Sequence, residues 1–152
     1  MADATPRRSG PWTTSEIERF LAQTRVPLRL AANGANGHPL LVSLWFICRD
    51  GRLWCATQRD SRIVTLLTRD PRCAFEVAPD RPPYRGVRGQ ALASLHDERG
   101  PETLALLIDL YLGDRTSELA RWLLGRAESE TAIALEPCSL VSWDYRERMG
   151  AA

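Results

Sequence analysis

Donors for an anion are concentrated where a predicted strand, Leu53–Thr57, gives way to a short predicted helix, Ser61–Arg69, with Asp60 as its cap. The first turn of a helix has backbone N–H groups without intrahelical partners and carries a partial positive charge. The side chains that would add neutral and charged donors are Thr57, Arg59, Ser61 and Arg62. Such a group of donors at a helix N-terminus predicts a phosphate site. The other interpretation is that Ser61 is only a first-turn residue and that the arginines form a solvated face.

The remaining basic residues and the histidines exclude several other chemistries. All 20 basic residues are arginine, and the absence of lysine excludes a Schiff base to pyridoxal phosphate, a P-loop lysine and a lysine general base. The two histidines, His38 and His96, stand in turn-like and strand-end contexts, and no grouping of a nucleophile with histidine and a carboxylate is visible. The net charge of +1 does not indicate nucleic acid or an anionic membrane as a partner. No apolar run approaches the ~20 residues of a membrane span.

None of the four cysteines belongs to a C-x-x-C pair, so we expect no metal site. Cys48 and Cys55 flank Asp50-Gly51, which is a strong signal for a two-residue hairpin. Pairing of Arg49 with Arg52 would set the two cysteines diagonally across one face. Diagonal neighbours lie about 7–8 Å apart at Cα, too far for an easy disulfide. The sequence therefore predicts free, mostly buried thiols in a reducing cytoplasm.

The elements that would position the donors are predicted to form one domain over residues 13–146, between a flexible N-terminal tail, 1–12, and a C-terminal tail, 147–152. Thr13 and Glu16 have the spacing of a capping box. The predicted helices are Thr14–Thr24, Ser61–Arg69, one that opens at Pro101 and stops at Gly113, and one that ends at Gly125. The predicted strands are Leu28–Ala32, Leu40–Cys48, Leu53–Thr57, Cys73–Val77, Tyr84–Leu95, Thr131–Leu135 and Ser139–Trp143. Mostly hairpin connections between them favour an antiparallel barrel decorated with helices.

Several short motifs occur in an order and spacing that is fairly specific. They are Leu30-Ala31-Ala32, Gly37-His38-Pro39, Val42–Phe46, Asp50–Trp54, Thr57 with Ser61-Arg62, Arg69–Arg72 and Tyr84–Gly89. Together they resemble the pyridoxamine 5'-phosphate oxidase-like, FMN-binding split-barrel superfamily over about residues 13–146. The resemblance implies a mainly β, α+β fold: an antiparallel, Greek-key-like split β-barrel of six or seven strands with about four helices. The ending Ser142–Arg146 resembles members that use a deazaflavin, coenzyme F-420, in place of FMN.

The resemblance also implies roles for individual residues. Val42, Ser43 and Leu44 would lie along the isoalloxazine and ribityl side of the flavin, partly through backbone groups. Ala56 and Thr57 would sit at the end of the next strand, and Ser61 and Arg62 would hold the phosphate, as the helix argument predicts independently. A homodimer would bind FMN at its interface and act as an oxidoreductase that passes hydride or electrons to a small substrate. The cofactor would carry the redox chemistry, and no catalytic side chain is predicted.

The sequence departs from the family pattern at two positions. Family members usually carry a basic residue after the position of Arg62, where this chain has Ile63, and the oxidases proper carry arginine at the position of Gly86. Arg59, or Arg85 or Arg88 of a partner subunit, would have to compensate. True pyridoxamine phosphate oxidase activity is therefore not expected. The alternatives are a deazaflavin-dependent reductase on the same fold and a non-catalytic flavin- or haem-binding module.

Other conspicuous residues have ordinary interpretations. Trp45 and Trp54 lie in predicted strands, where core or interface positions are more frequent than stacking on a ligand. The acidic residues Asp97-Glu98 and Glu128–Glu130 are interpreted as surface, and the arginines around residues 81–88 as a solvated face or an anion contact across a dimer.

Overall fold

The computed structural model describes residues 4–150. Its strands are β1 (Arg7–Ser9), β2 (Leu28–Ala32), β3 (Leu40–Leu44), β4 (Ile47–Arg49), β5 (Arg52–Gln58), β6 (Arg72–Val77), β7 (Arg85–His96) and β8 (Glu130–Asp144). Its α-helices are α1 (Thr14–Gln23), α2 (Arg62–Arg69), α3 (Gly100–Tyr111) and α4 (Glu118–Leu124), with single 3₁₀ turns at Asp97–Arg99 and Ala127–Ser129. Seven strands form one antiparallel sheet in the order β3-β2-β6-β7-β8-β5-β4, and β1 adds to β8 in parallel. The curled sheet and four α-helices confirm the predicted split-barrel fold class.

The inner face of the sheet packs on α1 and α2. The predicted capping box is present at the start of α1, where Thr13 Oγ1 accepts from Glu16 N at 3.2 Å and Glu16 Oε2 accepts from Thr13 N at 2.7 Å. Ile17 of α1 and Ile63 of α2 are buried in the same core cluster as Leu30 of β2. Each buried side chain of this size contributes about 1.5–3 kcal/mol, so apolar burial fixes both helices against the barrel.

The hairpin between β4 and β5 forms as the Asp-Gly signal predicts. Arg49 pairs with Arg52, and both turn residues have positive φ, 54° at Asp50 and 73° at Gly51. The predicted continuous strand Leu40–Cys48 is wrong, because the chain leaves the ladder at Trp45 and Phe46 and continues as β4. These two short strands are opposite edges of the sheet, so the break is what splits the barrel.

The C-terminal part of the chain is one long strand rather than the two predicted. β8 continues through residues 136–138, where the sequence predicts a gap. Gln90 and Ala91 of β7 both stay paired with the chain on either side of Cys138, so Cys138 is the extra residue of a β-bulge. β8 is thereby long enough to pair with β7 over residues 132–144, with β5 over residues 130–135 and with β1 over residues 139–141.

Part of the segment expected to be a flexible tail makes ordered contacts. Arg7–Ser9 pair with Ser139–Val141, and the buried indole of Trp12 donates from Nε1 to Asp144 Oδ2 at 3.1 Å. Gly10 has a φ of 94°, and a Cβ there would lie 2.1 Å from Ser142 O, so only glycine permits this close approach. The N-terminal segment is therefore tied to β8. Among residues 4–150, no helix is both long and apolar enough to cross a membrane.

Candidate cofactor site

A cavity of about 370 Å³ lies where β3 and β5 end, beneath α3 and α4. Its apolar walls come from Pro27, Leu44, Trp45, Ala56, Leu104, Leu107, Leu119 and Leu123. Its polar groups come from Ser43, Thr57, Gln58, Arg126 and Glu130. Four of the residues predicted to bind the cofactor, Ser43, Leu44, Ala56 and Thr57, therefore line one cavity. A mostly apolar cavity with a few polar groups suits a ligand that has a flat apolar body and a polar edge.

Tyr111, at the end of α3, binds the chain at the break between β3 and β4. Its hydroxyl accepts from Phe46 N at 3.3 Å and donates to Val26 O at 3.1 Å. The ring stacks on Trp45 with centroids 5.1 Å apart and an interplanar angle of 12°. Trp45 also lines the cavity, and Tyr111 covers one face of its indole. Trp54, in contrast, is buried away from the cavity, as the core interpretation predicts.

The N-terminus of α2 leaves its donors free. Ser61, not Asp60 as predicted, is the N-cap residue, and its side chain makes no capping hydrogen bond. Ser61 Oγ is buried and has no hydrogen-bond partner among the described residues. The first turn contains no acidic residue and no side-chain cap, so its N–H groups have no side-chain acceptor within the helix end. An uncapped helix end with an unpartnered hydroxyl fits a phosphate group.

The two guanidinium groups predicted at this junction, of Arg62 and Arg59, differ in whether they are bound to other residues. Arg62 is exposed and makes no hydrogen bond or salt bridge within residues 4–150. Arg59 is held elsewhere, because its Nη2 donates to Glu128 O at 2.6 Å and its Nε lies 3.7 Å from Asp97 Oδ2. Arg59 therefore does not supply the compensating charge that the sequence suggests, and Arg62 is the guanidinium left for an anion.

Val42 is separated from the other predicted cofactor residues by strand alternation. It pairs with the fully buried Leu30 and packs against the main core, so its side chain does not line the cavity. A flavin contact from Val42 would have to use its backbone. Ser61 and Arg62 also lie outside the cavity lining, and they follow Thr57 by one tight turn in which Ser61 N donates to Gln58 O at 3.0 Å.

The two departures from the family pattern have structural reasons. Ile63 is only 3% exposed and belongs to the main core, so a basic residue at this position would bury a charge. A Cβ on Gly86 would lie 2.6 Å from Trp143 Cζ2 and 2.8 Å from Ala78 Cβ. With Trp143 in place, Gly86 cannot be replaced by arginine without displacing the indole. Both positions are therefore adapted to packing in this chain.

Glu130 is a site residue that the sequence reasoning missed, because its surface interpretation is wrong. Glu130 is 5% exposed, and its Oε1 accepts from Gln58 Nε2 at 2.6 Å. Burial raises the pKa of this carboxyl above its ordinary value, although the hydrogen bond from Gln58 and the charge of Arg126 act in the opposite direction. The flanking acidic residue Glu128 is exposed, as predicted. The only sequence signal was position, since Glu130 directly precedes the apolar run of β8.

The cysteines are free thiols, as predicted. Burial raises the pKa of Cys48 to about 11 and that of Cys73 to about 12, and it raises the pKa of Cys55 further. These thiols stay protonated at neutral pH and are poor nucleophiles. Cys55 belongs to the core and does not line the cavity.

A larger groove of about 780 Å³ lies on the outer face of the sheet, away from the predicted residues. Arg7, Arg8, Arg29 and Arg88 line it, with Glu76 as the acidic residue among its walls. Arg88 is engaged, since its guanidinium lies 4.4 Å from the centre of the Trp143 ring and 4.0 Å from Glu76. None of the seven residues predicted to bind the cofactor lines this groove, although Arg88, predicted as a compensating contact from a partner subunit, does.

No protein-family model matches the sequence, and no curated protein matches it. Solved structures do. A conserved hypothetical protein of Mycobacterium tuberculosis has a TM-score of 0.77 and 25% identity, with 95% of this chain and 92% of that chain covered. An F420 reductase has a TM-score of 0.69 and 18% identity, covering 86% and 98%. A protein of Listeria innocua named as a pyridoxamine 5'-phosphate oxidase by similarity has a TM-score of 0.62 and 17% identity, covering 83% and 94%.

Other similar structures include a haem storage protein of Vibrio cholerae, with a TM-score of 0.62, 20% identity and coverage of 84% and 92%. At these identities the matches establish the fold. This chain has the split-barrel fold of pyridoxamine 5'-phosphate oxidase-like proteins, as the resemblance of its motifs predicts.

Proposed function

We propose that this split-barrel protein is a flavin-dependent oxidoreductase that binds FMN with its ring system in the cavity at the ends of β3 and β5 and its phosphate at the N-terminus of α2. The observation that carries the proposal is the pair formed by the uncapped helix end and the adjoining apolar cavity. Ser61 and Arg62 supply unengaged donors, and Thr57 on the preceding strand borders the cavity. The two halves suit the two chemically different ends of FMN.

The chain's own residues would bind, orient and shield the cofactor. Ser61, Arg62 and the first-turn N–H groups of α2 would hold the phosphate dianion. Leu44, Ala56 and Leu104 would contact the flat ring and exclude water from it. When bound, the flavin would supply the two-electron or one-electron transfer, and no strong side-chain base is needed for that. The identity of the small substrate does not follow from these residues.

The second candidate occupant of the same site is the deazaflavin coenzyme F-420, and the function would then be hydride transfer by a deazaflavin-dependent reductase. Two observations favour it as the alternative: the similarity to an F420 reductase and the absence of a second basic residue beside Arg62. Haem is not proposed for this cavity. None of the described residues that line it is histidine, cysteine, methionine or tyrosine, the usual axial ligands of haem iron.

We also propose a homodimer that covers the open side of the cavity. In the single chain Ser43 is exposed and Leu119 is 47% exposed, although both line the cavity. A second copy over this opening would exclude water from the ring and would place the cofactor at the interface. Sedimentation of the protein with and without FMN tests this. A monomer at micromolar concentration in both conditions would contradict the homodimer.

The experiment that tests the proposed function is a titration of the purified protein with FMN and with F-420, followed by the absorption and fluorescence of each ligand. Saturable one-to-one binding of FMN supports the main proposal, and binding of F-420 alone supports the deazaflavin alternative. Bound FMN that cannot be reduced and reoxidised would indicate a non-catalytic flavin-binding module. A protein that binds neither ligand would refute the proposal.

A further inference from the structure

Glu130 is the only carboxyl group that is buried in the part of the chain that the structure describes. It stands at the start of β8, at 5% exposure, and it forms no salt bridge within residues 4–150. Burying an unpaired charge is expensive, and a buried carboxyl without an ion partner relieves that cost by taking up a proton. Glu130 is therefore an unusual group to find at the wall of a ligand cavity.

The orientation of the Glu130 carboxyl is fixed by a chain of hydrogen bonds. The Ser129 hydroxyl has two acceptors in reach, Gln58 Oε1 at 2.7 Å and Arg126 O at 2.9 Å. Donation to the nearer one, Gln58 Oε1, matches the amide orientation in which Gln58 Nε2 donates to Glu130 Oε1 at 2.6 Å. The same amide nitrogen also lies 3.4 Å from Arg126 O. Because Oε1 already accepts from Gln58, the acid proton belongs on Oε2. Oε2 forms no hydrogen bond with another described residue, and Glu130 lines the cavity, so a proton on Oε2 has no competing acceptor in the protein.

The other charged groups around Glu130 are few. Arg126, which also lines the cavity, is the one cation whose charge lowers the pKa of Glu130. Arg59 follows Gln58 but is exposed and paired with Asp97 of the 3₁₀ turn before α3. The residues of α3 that line the cavity, Leu104 and Leu107, carry no titratable group. Because the walls are apolar and only one cation is near, burial has the largest effect on the pKa of Glu130 and raises it.

From this geometry we infer that Glu130, in its protonated form, donates a hydrogen bond from Oε2 to an acceptor atom on the polar edge of the ligand in the cavity. The inference rests on the proposed function, since the ligand would be the flavin ring system, whose carbonyl oxygens and unprotonated, unsubstituted ring nitrogens are acceptors. Gln58 and Ser129 are positioning residues for this acid. Ligand binding and protonation of Glu130 are then coupled.

The sign of the coupling follows from linkage. A ligand that covers Glu130 and accepts a hydrogen bond from its carboxylic acid favours the protonated form, so the pKa of Glu130 rises further on binding. Affinity is then highest below the pKa of the free protein and falls as pH rises above it, by at most tenfold per pH unit for one proton. Binding at constant pH takes up a fraction of a proton.

The experiment measures the Kd of riboflavin against pH for the wild-type chain and for three variants. Riboflavin lacks the phosphate, whose second pKa of about 6 would itself make FMN binding pH-dependent. Glu130→Gln keeps the acceptor for Gln58 and presents an amide donor to the cavity, so we expect wild-type affinity at low pH and little change as pH rises. Glu130→Met keeps the length but has no donor, so we expect weaker binding that does not vary with pH. Glu128→Gln, at the exposed neighbour, should behave as the wild type.

A wild-type Kd that does not vary with pH, or that varies equally in Glu130→Gln, overturns the inference while leaving flavin binding and the proposed function intact. If riboflavin and FMN bind at no pH, both the proposed function and the inference fail. A measurement on the protein without ligand tests the protonation of Glu130 independently of flavin binding. The infrared carbonyl band of a protonated carboxylic acid, identified by its loss in Glu130→Gln, should persist to higher pH than the bands of exposed carboxyl groups. A band that titrates together with the exposed groups would overturn the inference.

Discussion

Replacing Arg62 by alanine tests whether this arginine binds the cofactor phosphate or is only a solvated surface residue. A hydrogen bond to a charged group contributes about 1.5–3 kcal/mol, which corresponds to about a tenfold to 150-fold change in Kd. Arg62 is exposed and has no carboxylate partner among the described residues. Solvent and salt screen an exposed charge, so the lower part of that range is expected at physiological ionic strength. We therefore expect FMN binding to weaken by at least about tenfold.

The assay is fluorescence titration of FMN and of riboflavin at two salt concentrations. Riboflavin has the same ring system without the phosphate, so its Kd should be the same for Arg62→Ala and the wild type. Arg69→Ala is the matched control, because Arg69 is an exposed arginine at the opposite end of the same helix. The loss of FMN affinity in Arg62→Ala should shrink as salt is raised.

Equal Kd values of Arg62→Ala and the wild type for FMN would refute the phosphate assignment. A parallel loss of affinity for FMN and riboflavin would also count against it, because the effect would then come from the ring site or from the fold. Thermal unfolding of each variant checks the fold directly.

Three further predictions concern stability. Gly86→Ala should destabilise the protein by about 1–3 kcal/mol through overpacking, since its Cβ would lie 2.6 Å from Trp143 Cζ2, and Gly125→Ala, with nothing nearer than 3.3 Å, is the control in urea unfolding. Because burial raises the native pKa of Glu130, the unfolding free energy should fall as pH rises from the ordinary value of 4.5 through the raised value, and Glu130→Gln should lose this dependence. Hydrogen bonds from the Arg146 side chain lower the pKa of Asp144 from 3.8 to about 2. The ionised Asp144 should therefore stabilise the fold above pH 3.8, and this stabilisation should be lost as the pH falls toward 2. Asp144→Asn should not show this loss, and equal acid unfolding of the two proteins would contradict the assignment.

Local signals in the sequence predicted the elements that depend on local chemistry. The Asp50-Gly51 turn and the capping box of Thr13 and Glu16 need only neighbouring residues, and the structure has both. The break at Trp45 and Phe46 depends instead on Tyr111, which is distant in sequence and binds Phe46 through its hydroxyl. No local pattern carries that information.

The candidate site shows the same division. The strand–helix junction at Thr57 and Ser61 follows from local patterns, although the capping residue is one position later than predicted. Strand alternation places Val42 toward the core, opposite to Ser43, and this period of two residues is a local signal present in the sequence. Glu130 is buried where α3 packs against β8 and against the 3₁₀ turn before it, which are tertiary contacts between segments distant in sequence. An acidic residue among acidic neighbours gives no sign of such packing.

The most direct test of the central claim is a crystal structure of the protein grown with FMN. We expect the ring system to lie against Leu44, Ala56 and Leu104 and the phosphate to lie within hydrogen-bond distance of Ser61 and Arg62. FMN bound in the arginine-lined groove on the outer sheet face, or a cavity closed by the side chains of a second copy with no ligand in it, would contradict the account.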